Sequence, residues 1–221
     1  MRRTKEEAAR TREAIVEAAL ACFDRYGIAT STLEQIACAA GVSKGAVYHH
    51  FSGKRAILRA IRERVSLPLL DAADVTLLRS GGQPALDRVE GFLLGILQSL
   101  EKDARKRQAL AVMQLRCEYV GDMAAELEAV VRNVGRLARA FEGAYREART
   151  AGELAHGIEP RIAALETVMF MSGMLRLWIV HGGGSPVRRN ARAAIRAHVH
   201  LRRSGPRRAS ARRAGFDTKR V

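Results

Sequence analysis

Hydrophobic residues recur at intervals of three or four along most of this chain, the spacing that places them on one face of an α-helix. The first such pattern predicts a helix over residues 5–26. The strongest pattern runs from Met123 to Tyr145 and predicts a long helix that ends near Gly152. No segment alternates between apolar and polar residues as a half-buried strand does. The sequence therefore predicts an all-α fold, with four helices up to Pro68 and five after it.

Capping residues and prolines indicate where several helices begin and end. Ser31 followed by Glu34 has the spacing of a capping box, in which two side chains satisfy backbone N–H groups at the start of a helix. Pro68 is expected to disturb the fourth helix, because proline lacks the N–H that an inner helical turn requires. Proline is tolerated in the first turn, and three prolines precede helical patterns: Pro84, Pro160 and Pro186.

The stretch from Ile162 to Val180 differs from the others because it is apolar almost all round from Val168 onward. Glu166 and Arg176 interrupt it, so a buried helix explains it better than a membrane span does, and we expect no contact with a membrane. Such a helix has to be covered on more than one side. It either lies wholly in the core, or faces a cavity on one side and a partner helix on the other.

The segment from Leu33 to Phe51 has the features of a helix-turn-helix, in which two short helices meet at a tight turn. Ala37 is small enough to let the helices cross closely, and Gly41 supplies the turn. The corner between the helices would be filled by Ile36, Val42 and Val47. The outer face of the second helix would enter the major groove of DNA, and it carries Ser43, Lys44, Gly45, Ala46, Tyr48 and His49. An αα-corner in an ordinary helical protein would show the same pattern.

The charge of the chain is concentrated at its two ends. The formal net charge is +15, with 38 Lys and Arg against 23 Asp and Glu. Residues 61–187 hold 16 basic and 16 acidic side chains, whereas residues 188–221 hold 12 basic residues and one acidic residue. Basic ends are typical of proteins that bind nucleic acid or an anionic membrane, although a solvated tail without function has the same composition. We interpret residues 202–221 as a basic, disordered tail.

Cysteines and motifs argue against several other classes of protein. The chain has three widely spaced cysteines, Cys22, Cys38 and Cys117. They provide neither a disulfide framework nor a metal-binding pair. The charged N-terminus lacks the apolar core of a secretory signal, which favours the cytoplasm. Because the sequence holds no phosphate-binding loop, nucleophile elbow or dinucleotide fingerprint, we expect no catalytic site, no cofactor and no metal.

Three stretches between Thr11 and Leu58 resemble the TetR family of bacterial transcriptional repressors: TREAIVEAALACFDRYG, STLEQIACAAGVSKGAVYHHF and SGKRAIL. The resemblance implies an all-helical fold with a three-helix DNA-binding head and a ligand-binding, dimerising body of about six helices. We place the head at residues 1–51 and the body at residues 52–201. By resemblance, DNA phosphates would be contacted by Ser31, Thr32 and Lys54. The recognition helix would carry Lys44, Tyr48 and His49.

A narrower resemblance is to the multidrug-efflux repressors of the AcrR type, in the opening RRTKEEAARTREAI and the mid-chain CEYVGDMAAELEAV. His49 replaces a tryptophan often found in that group, so the resemblance does not extend to the operator sequence. It implies a homodimer that binds a palindromic double-stranded operator and leaves it when a hydrophobic small molecule binds. Two alternatives stay open: a regulator of metabolic or lipid genes with an acyl or aromatic effector, and a basic protein that binds nucleic acid without sequence preference.

The body carries more apolar helical faces than a dimer interface alone needs, which predicts an internal effector site. Its predicted lining is Leu70, Leu93, Ile96, Leu97, Leu110, Met113, Gln114, Val134, Leu137, Phe141, Phe170, Met171 and Met174. Gln114 is polar on an apolar helical face, so it hydrogen-bonds either the effector or a backbone carbonyl. Arg176 is expected to pair with a carboxylate or the backbone. The predicted dimer contacts are Leu175, Trp178, Ile179 and Ile195.

Overall fold

The computed structural model describes residues 5–78 and 82–204. Within these residues the chain forms nine α-helices and one short 3-10 turn, Gly121–Met123, and the prediction of an all-α fold is confirmed. The helices are α1 Lys5–Tyr26, α2 Leu33–Ala39, α3 Lys44–His50, α4 Lys54–Leu78, α5 Ala85–Lys102, α6 Ala104–Leu115, α7 Ala124–Thr150, α8 Pro160–Val180 and α9 Pro186–His200. Most of the predicted basic tail lies outside the described residues.

The fourth helix does not stop at Pro68, which corrects the expectation from the sequence. It continues to Leu78, and Pro68 lies exposed within it. An inner proline costs about 3 kcal/mol because it removes one helical hydrogen bond. Three residues beyond the proline are buried in the body: Leu70, Ala73 and Leu77. Burial of this kind stabilises a helix more than intrinsic propensity does.

The capping box of α2 is displaced by one residue from the predicted pair. Thr32, rather than Ser31, accepts a hydrogen bond from the backbone N–H of Gln35, and the Gln35 side chain accepts one from the Thr32 N–H. Ser31 turns inward, where its hydroxyl lies 2.7 Å from the carbonyl oxygen of Gly27 and 3.2 Å from that of Cys22. The box therefore forms with the hydroxyl that faces solvent.

The prolines at the later helix starts behave almost as predicted. Pro160 and Pro186 lie in the first turns of α8 and α9, where a missing N–H costs nothing. The side chains of Glu159 and Ser185 cap these two helices by accepting hydrogen bonds from backbone N–H groups. Pro84 differs, since it occupies the cap position immediately before α5.

Two hydrophobic clusters divide the molecule into a head and a body. The head cluster joins α1, α2, α3 and the first half of α4, and it includes Ala109 and Val112 of α6. The body cluster joins the second half of α4 to α5, α7, α8 and α9, and Leu110 of α6 packs against it. The head core thus extends beyond residue 51, and both α4 and α6 belong to head and body. A shift of either helix in the body would therefore reach the head.

Polar contacts reinforce the junction between the head and α6. The amide of Gln108 donates to Asp24 at 3.0 Å, which joins α6 to α1. Glu17 of α1 accepts from Arg64 of α4 at 2.8 Å and lies 3.4 Å from Arg105 of α6. Most of these groups are partly exposed, so they orient the helices more than they stabilise them.

By length and apolar composition α8 could also cross a membrane. In the structure, one side of the helix is buried in the body cluster, with Met171, Met174 and Trp178 among the enclosed residues. The opposite side is exposed, so the protomer alone does not provide the cover on more than one side of α8 that the sequence predicts.

A polar network inside the body joins α7, α8 and α9. The single hydroxyl hydrogen of Thr167 is accepted by the Ala163 carbonyl at 2.8 Å, so Tyr145 and His198 both donate to the Thr167 oxygen, at 2.7 and 2.9 Å. This arrangement places the hydrogen of the imidazole on Nε2 and leaves Nδ1 facing Arg202 at 3.3 Å. Burial, together with the positive charge of Arg202, lowers the pKa of His198 to about 4.

This network makes stability depend on pH in the acidic range. The folded-state pKa of His198 lies below the ordinary value of 6.5, so the unfolded chain binds more protons between pH 6.5 and 4. Stability should therefore fall as the pH is lowered through this window, by on the order of 1–3 kcal/mol. Melting temperatures across the window should change less in His198→Gln than in wild type. His200→Gln, on the exposed side of the same helix, should leave the slope unchanged. Equal slopes in all three proteins would contradict the assignment.

Candidate DNA interface and effector cavity

The corner between α2 and α3 has the geometry of a helix-turn-helix. Gly41 adopts a φ of +66°, a left-handed conformation that strains other residues. The N–H of Val42 donates to the Ala37 carbonyl at 3.0 Å and closes the turn. Ile36 and Val47 are fully buried behind it. The corner is thus anchored to the head core, and the opposite side of α3 is free to face solvent.

The exposed side of α3 presents Lys44, Gly45, Tyr48 and His49 together, as predicted for a recognition helix. The Tyr48 side chain is 53% exposed. Ser43 begins the helix, where its hydroxyl accepts the N–H of Ala46 at 3.1 Å. A Cβ added at Gly45 would meet only the Ser43 hydroxyl, at 3.8 Å, so the helix can approach another surface closely here.

Glu34 of α2 forms an ion pair with Lys44, a contact that sequence reasoning missed. The Lys44 hydrogen bond lowers the pKa of Glu34, and the same contact raises the pKa of Lys44. The Lys44 ammonium also lies 5.9 Å from the Tyr48 ring. Both partners are more than half exposed, so exchanging the carboxylate for a DNA phosphate would cost little.

Two of the residues expected to contact phosphates have structural roles in the head. The Lys54 ammonium donates to the carbonyls of Ile28 and Ala29, at 2.8 and 2.9 Å, and ties α4 to the turn after α1. Ser31 is buried. The burial of Ser31 corrects its predicted phosphate contact. The Lys54 ammonium has three N–H groups and uses two of them here, so its contact with a phosphate stays a prediction. Thr32 is exposed at the start of α2, as its predicted role requires.

A cavity of about 170 Å³ lies among α4, α6, α7 and α8, and we call it the Gln114 chamber. Its lining includes seven residues of the predicted set: Leu70, Leu110, Met113, Gln114, Val134, Leu137 and Met171. A second cavity of about 340 Å³, here called the α5 chamber, lies among α4, α5, α6 and α8 and includes the predicted Ile96. The two chambers share a wall made of Val65, Leu69, Leu110 and Leu175.

Five residues of the predicted lining belong to the packed interior instead. Leu93, Leu97 and Phe141 are fully buried in the body cluster. Met174 is buried there as well, and the Phe170 ring stacks on His198 with centroids 4.1 Å apart. Periodicity marks a residue as buried, but it does not distinguish a packed surface from the wall of a cavity, which explains the error.

The Gln114 chamber also has polar lining residues that the sequence did not reveal: Arg62, Ser66, Tyr119, Asn133 and Ser172. Arg62 donates from Nε to the buried carboxylate of Glu126 at 3.2 Å, and Arg59 contacts the other oxygen at 3.4 Å. The Tyr119 hydroxyl donates to the Met113 carbonyl at 3.1 Å, and burial raises the pKa of Tyr119 to about 12. This hydroxyl therefore stays protonated at neutral pH.

Gln114 is both a structural and a cavity residue. Its backbone carbonyl accepts from Arg176 at 2.8 Å, which confirms the structural partner expected for that arginine. Its side-chain oxygen, Oε1, is buried and has no hydrogen-bond partner within the described part of the chain. Since nearly all buried polar atoms are paired, this oxygen is an acceptor open to a ligand.

The residues predicted for the dimer interface lie mostly inside the protomer. Leu175, Trp178 and Ile195 are buried in the body cluster, with the Arg188 guanidinium 4.1 Å from the Trp178 ring. Ile179 is partly buried. The exposed apolar face of α8 consists of different residues: Ile162, Leu165, Met169, Leu177 and Val180. Both sides of α8 are apolar, so periodicity could not tell which one faces outward, and the prediction for the three buried residues was wrong.

Comparisons with known proteins find similarity in two parts of the chain. Residues 15–61 match the family described as bacterial regulatory proteins, tetR family, and residues 84–203 match the C-terminal region of MAATS-type transcriptional repressors. The transcriptional repressor BepR of Brucella suis biovar 1 (strain 1330) is 36% identical over 186 residues, which cover 82% of this chain and 86% of BepR.

Two solved structures extend the similarity to the fold. NalD, the secondary repressor of the MexAB-OprM multidrug efflux pump in Pseudomonas aeruginosa, has a TM-score of 0.78 and 28% identity, covering 89% of this chain and 97% of NalD. SmeT of Stenotrophomonas maltophilia, in a complex with triclosan, has a TM-score of 0.75 and 30% identity, covering 86% and 90%.

These similarities confirm the predicted TetR-like fold and the resemblance to repressors of multidrug efflux. The family and these relatives are transcriptional regulators rather than enzymes. Within residues 5–78 and 82–204, no three metal-ligating side chains come together. With matches over both the helix-turn-helix head and the helical body, the chain belongs to the TetR family of bacterial regulatory proteins.

Proposed function

We propose that this protein is a cytoplasmic, homodimeric repressor of a multidrug efflux operon, released from a palindromic operator by a hydrophobic effector. The observation that carries the proposal is that α4 and α6 each belong to both the head and the body. The same two helices line both chambers and contribute side chains to the head core. An effector that favours one placement of these helices would change the position of the recognition helix.

The dimer is supported by the outer face of α8. Its five exposed apolar residues follow helical spacing and run along most of the helix. Contiguous apolar surface of this kind is unusual on a monomer and typical of an interface. A second copy of the chain, related by two-fold symmetry, would cover this face with its own α8. Two heads could then reach half-sites about one helical turn, ~34–36 Å, apart.

Operator binding is expected to depend on the exposed residues of α3. Lys44→Ala and Tyr48→Ala should each weaken binding by roughly 5–150-fold, the range for losing a phosphate or base contact. Lys102→Ala, which removes an exposed lysine of α5, should leave affinity unchanged. Anisotropy at fixed salt would measure this, with a duplex that the protein itself selects from random sequences. Unchanged affinity in both α3 variants would refute the recognition helix.

The same assay tests release and separates the rival functions. Triclosan, which SmeT binds, is the first probe, and it should lower operator affinity when added to the complex. A coupling free energy of about 1–3 kcal/mol would be ordinary for such a response. Release by an acyl-chain compound alone would favour control of metabolic genes. Equal affinity for operator and random competitor DNA would favour the basic protein without sequence preference.

A further inference from the structure

The Gln114 chamber contains one feature that apolar packing does not explain, the unpartnered side-chain oxygen of Gln114. We infer that the effector is an uncharged aromatic molecule with one hydrogen-bond donor, and that this donor binds Gln114 Oε1. The inference rests on the proposed function, since it specifies the chemistry of the effector site. The Gln114 chamber should therefore bind phenols and related donors more tightly than hydrocarbons of the same shape.

No donor in the described part of the chain bonds this oxygen, and two donors of the chamber lining are committed elsewhere. The Tyr119 hydroxyl donates to the Met113 carbonyl, and Nε of Arg62 donates to Glu126. A carbonyl oxygen that is buried without a partner loses its bond to water and gains nothing in return. A ligand that donates to it removes this penalty, whereas a hydrocarbon leaves the penalty in place.

Neither a negative nor a positive charge on the ligand is favoured in the Gln114 chamber. Among the described residues, Arg62 is the one cation in the lining of the Gln114 chamber, and it already pairs with the buried carboxylate of Glu126. A ligand carboxylate would therefore compete with an existing ion pair. A ligand cation would find no carboxylate, because the described lining of the chamber includes no acidic residue. An ion would lose its hydration in an apolar cavity without compensation, so a neutral ligand is preferred.

The size of the two chambers indicates how many rings the ligand can have. An apolar cavity of ~150 Å³, such as one engineered in another protein, accommodates a single benzene ring. The Gln114 chamber, at about 170 Å³, is of that size, and the α5 chamber offers about 340 Å³ behind the shared wall. A two-ring molecule would place its donor-bearing ring at Gln114 and reach the second chamber past Leu69 or Leu110.

Calorimetry with three biphenyls of similar shape tests the inference on the full-length protein. The probes are 4-phenylphenol, 4-methylbiphenyl and biphenyl-4-carboxylate, which differ in a donor, a methyl group and a charge. Wild type should bind the phenol at least about tenfold more tightly than the methyl compound, and the carboxylate most weakly. In Gln114→Leu and Gln114→Met the preference for the phenol should disappear. Gln98→Leu, an exposed glutamine of α5, should behave as wild type.

The outcomes separate this inference from the proposed function. Equal binding of the phenol and the methyl compound by wild type would overturn the role of Gln114 and leave the effector site intact. Tightest binding of the carboxylate would overturn the argument from charge. A preference for the phenol that persists in both Gln114 variants would assign the acceptor to another residue. Failure of all three probes to bind, with the protein folded, would refute the effector site itself.

Discussion

Met169→Asp is expected to separate the dimer and to lower affinity for the complete palindromic operator by at least about 100-fold. Met169 is 64% exposed at the middle of the apolar face of α8, so the substitution should not disturb the protomer. In a two-fold dimer the change occurs twice, and each carboxylate would be buried without a partner. A single head makes half of the base contacts and loses the benefit of a linked second site.

Light scattering after size-exclusion chromatography would report the mass, and anisotropy would report operator affinity. Val75→Asp is the matched control, because Val75 is an exposed apolar residue on α4 rather than α8. It should leave both mass and affinity as in wild type. A dimeric Met169→Asp protein with normal operator affinity would place the interface elsewhere on the molecule.

Glu147→Ala should cause the largest loss of stability, about 3 kcal/mol in the free energy of unfolding. Glu147 of α7 accepts hydrogen bonds from Arg88 of α5, whose side chain is only 3% exposed. Removing the carboxylate leaves a buried guanidinium without its main ion-pair partner. The Glu147 side chain is itself 40% exposed, so water can partly replace it, which keeps the loss at the lower end of the ~3–5 kcal/mol range.

Urea denaturation would measure this loss, with two variants for comparison. Glu128→Ala removes an exposed partner of Arg132 on the same helix and should cost less than about 1 kcal/mol. Arg88→Met replaces the buried charge with an apolar side chain and should be less damaging than Glu147→Ala, although it also removes hydrogen bonds to the Leu77 and Gln83 carbonyls. If Glu147→Ala and Glu128→Ala cost the same, the Arg88 pair contributes no more than a surface contact.

Local sequence determined the helices and the recognition element of this protein. The positions of α1 and α7 follow from apolar spacing, a property of neighbouring residues that any arrangement of helices preserves, and the start of α9 follows from Pro186. The corner at Gly41 follows from the short-range requirements of a tight turn. For the same reason the exposed set on α3 could be named in advance: once Val47 is buried, the opposite side of a seven-residue helix has to face outward.

The tertiary structure alone decided what each buried or polar side chain contacts. Ser31 has the residue type of a phosphate contact, yet it is buried and its hydroxyl bonds the Gly27 carbonyl in the turn after α1. Phe141 and Met171 are both buried in the body cluster, but only Met171 also lines the Gln114 chamber. Leu175 and Trp178 were likewise predicted to face a partner subunit, because periodicity does not show which apolar side of α8 is turned outward. In each case the outcome depends on which helices lie alongside, and those neighbours come from distant parts of the chain that periodicity does not record.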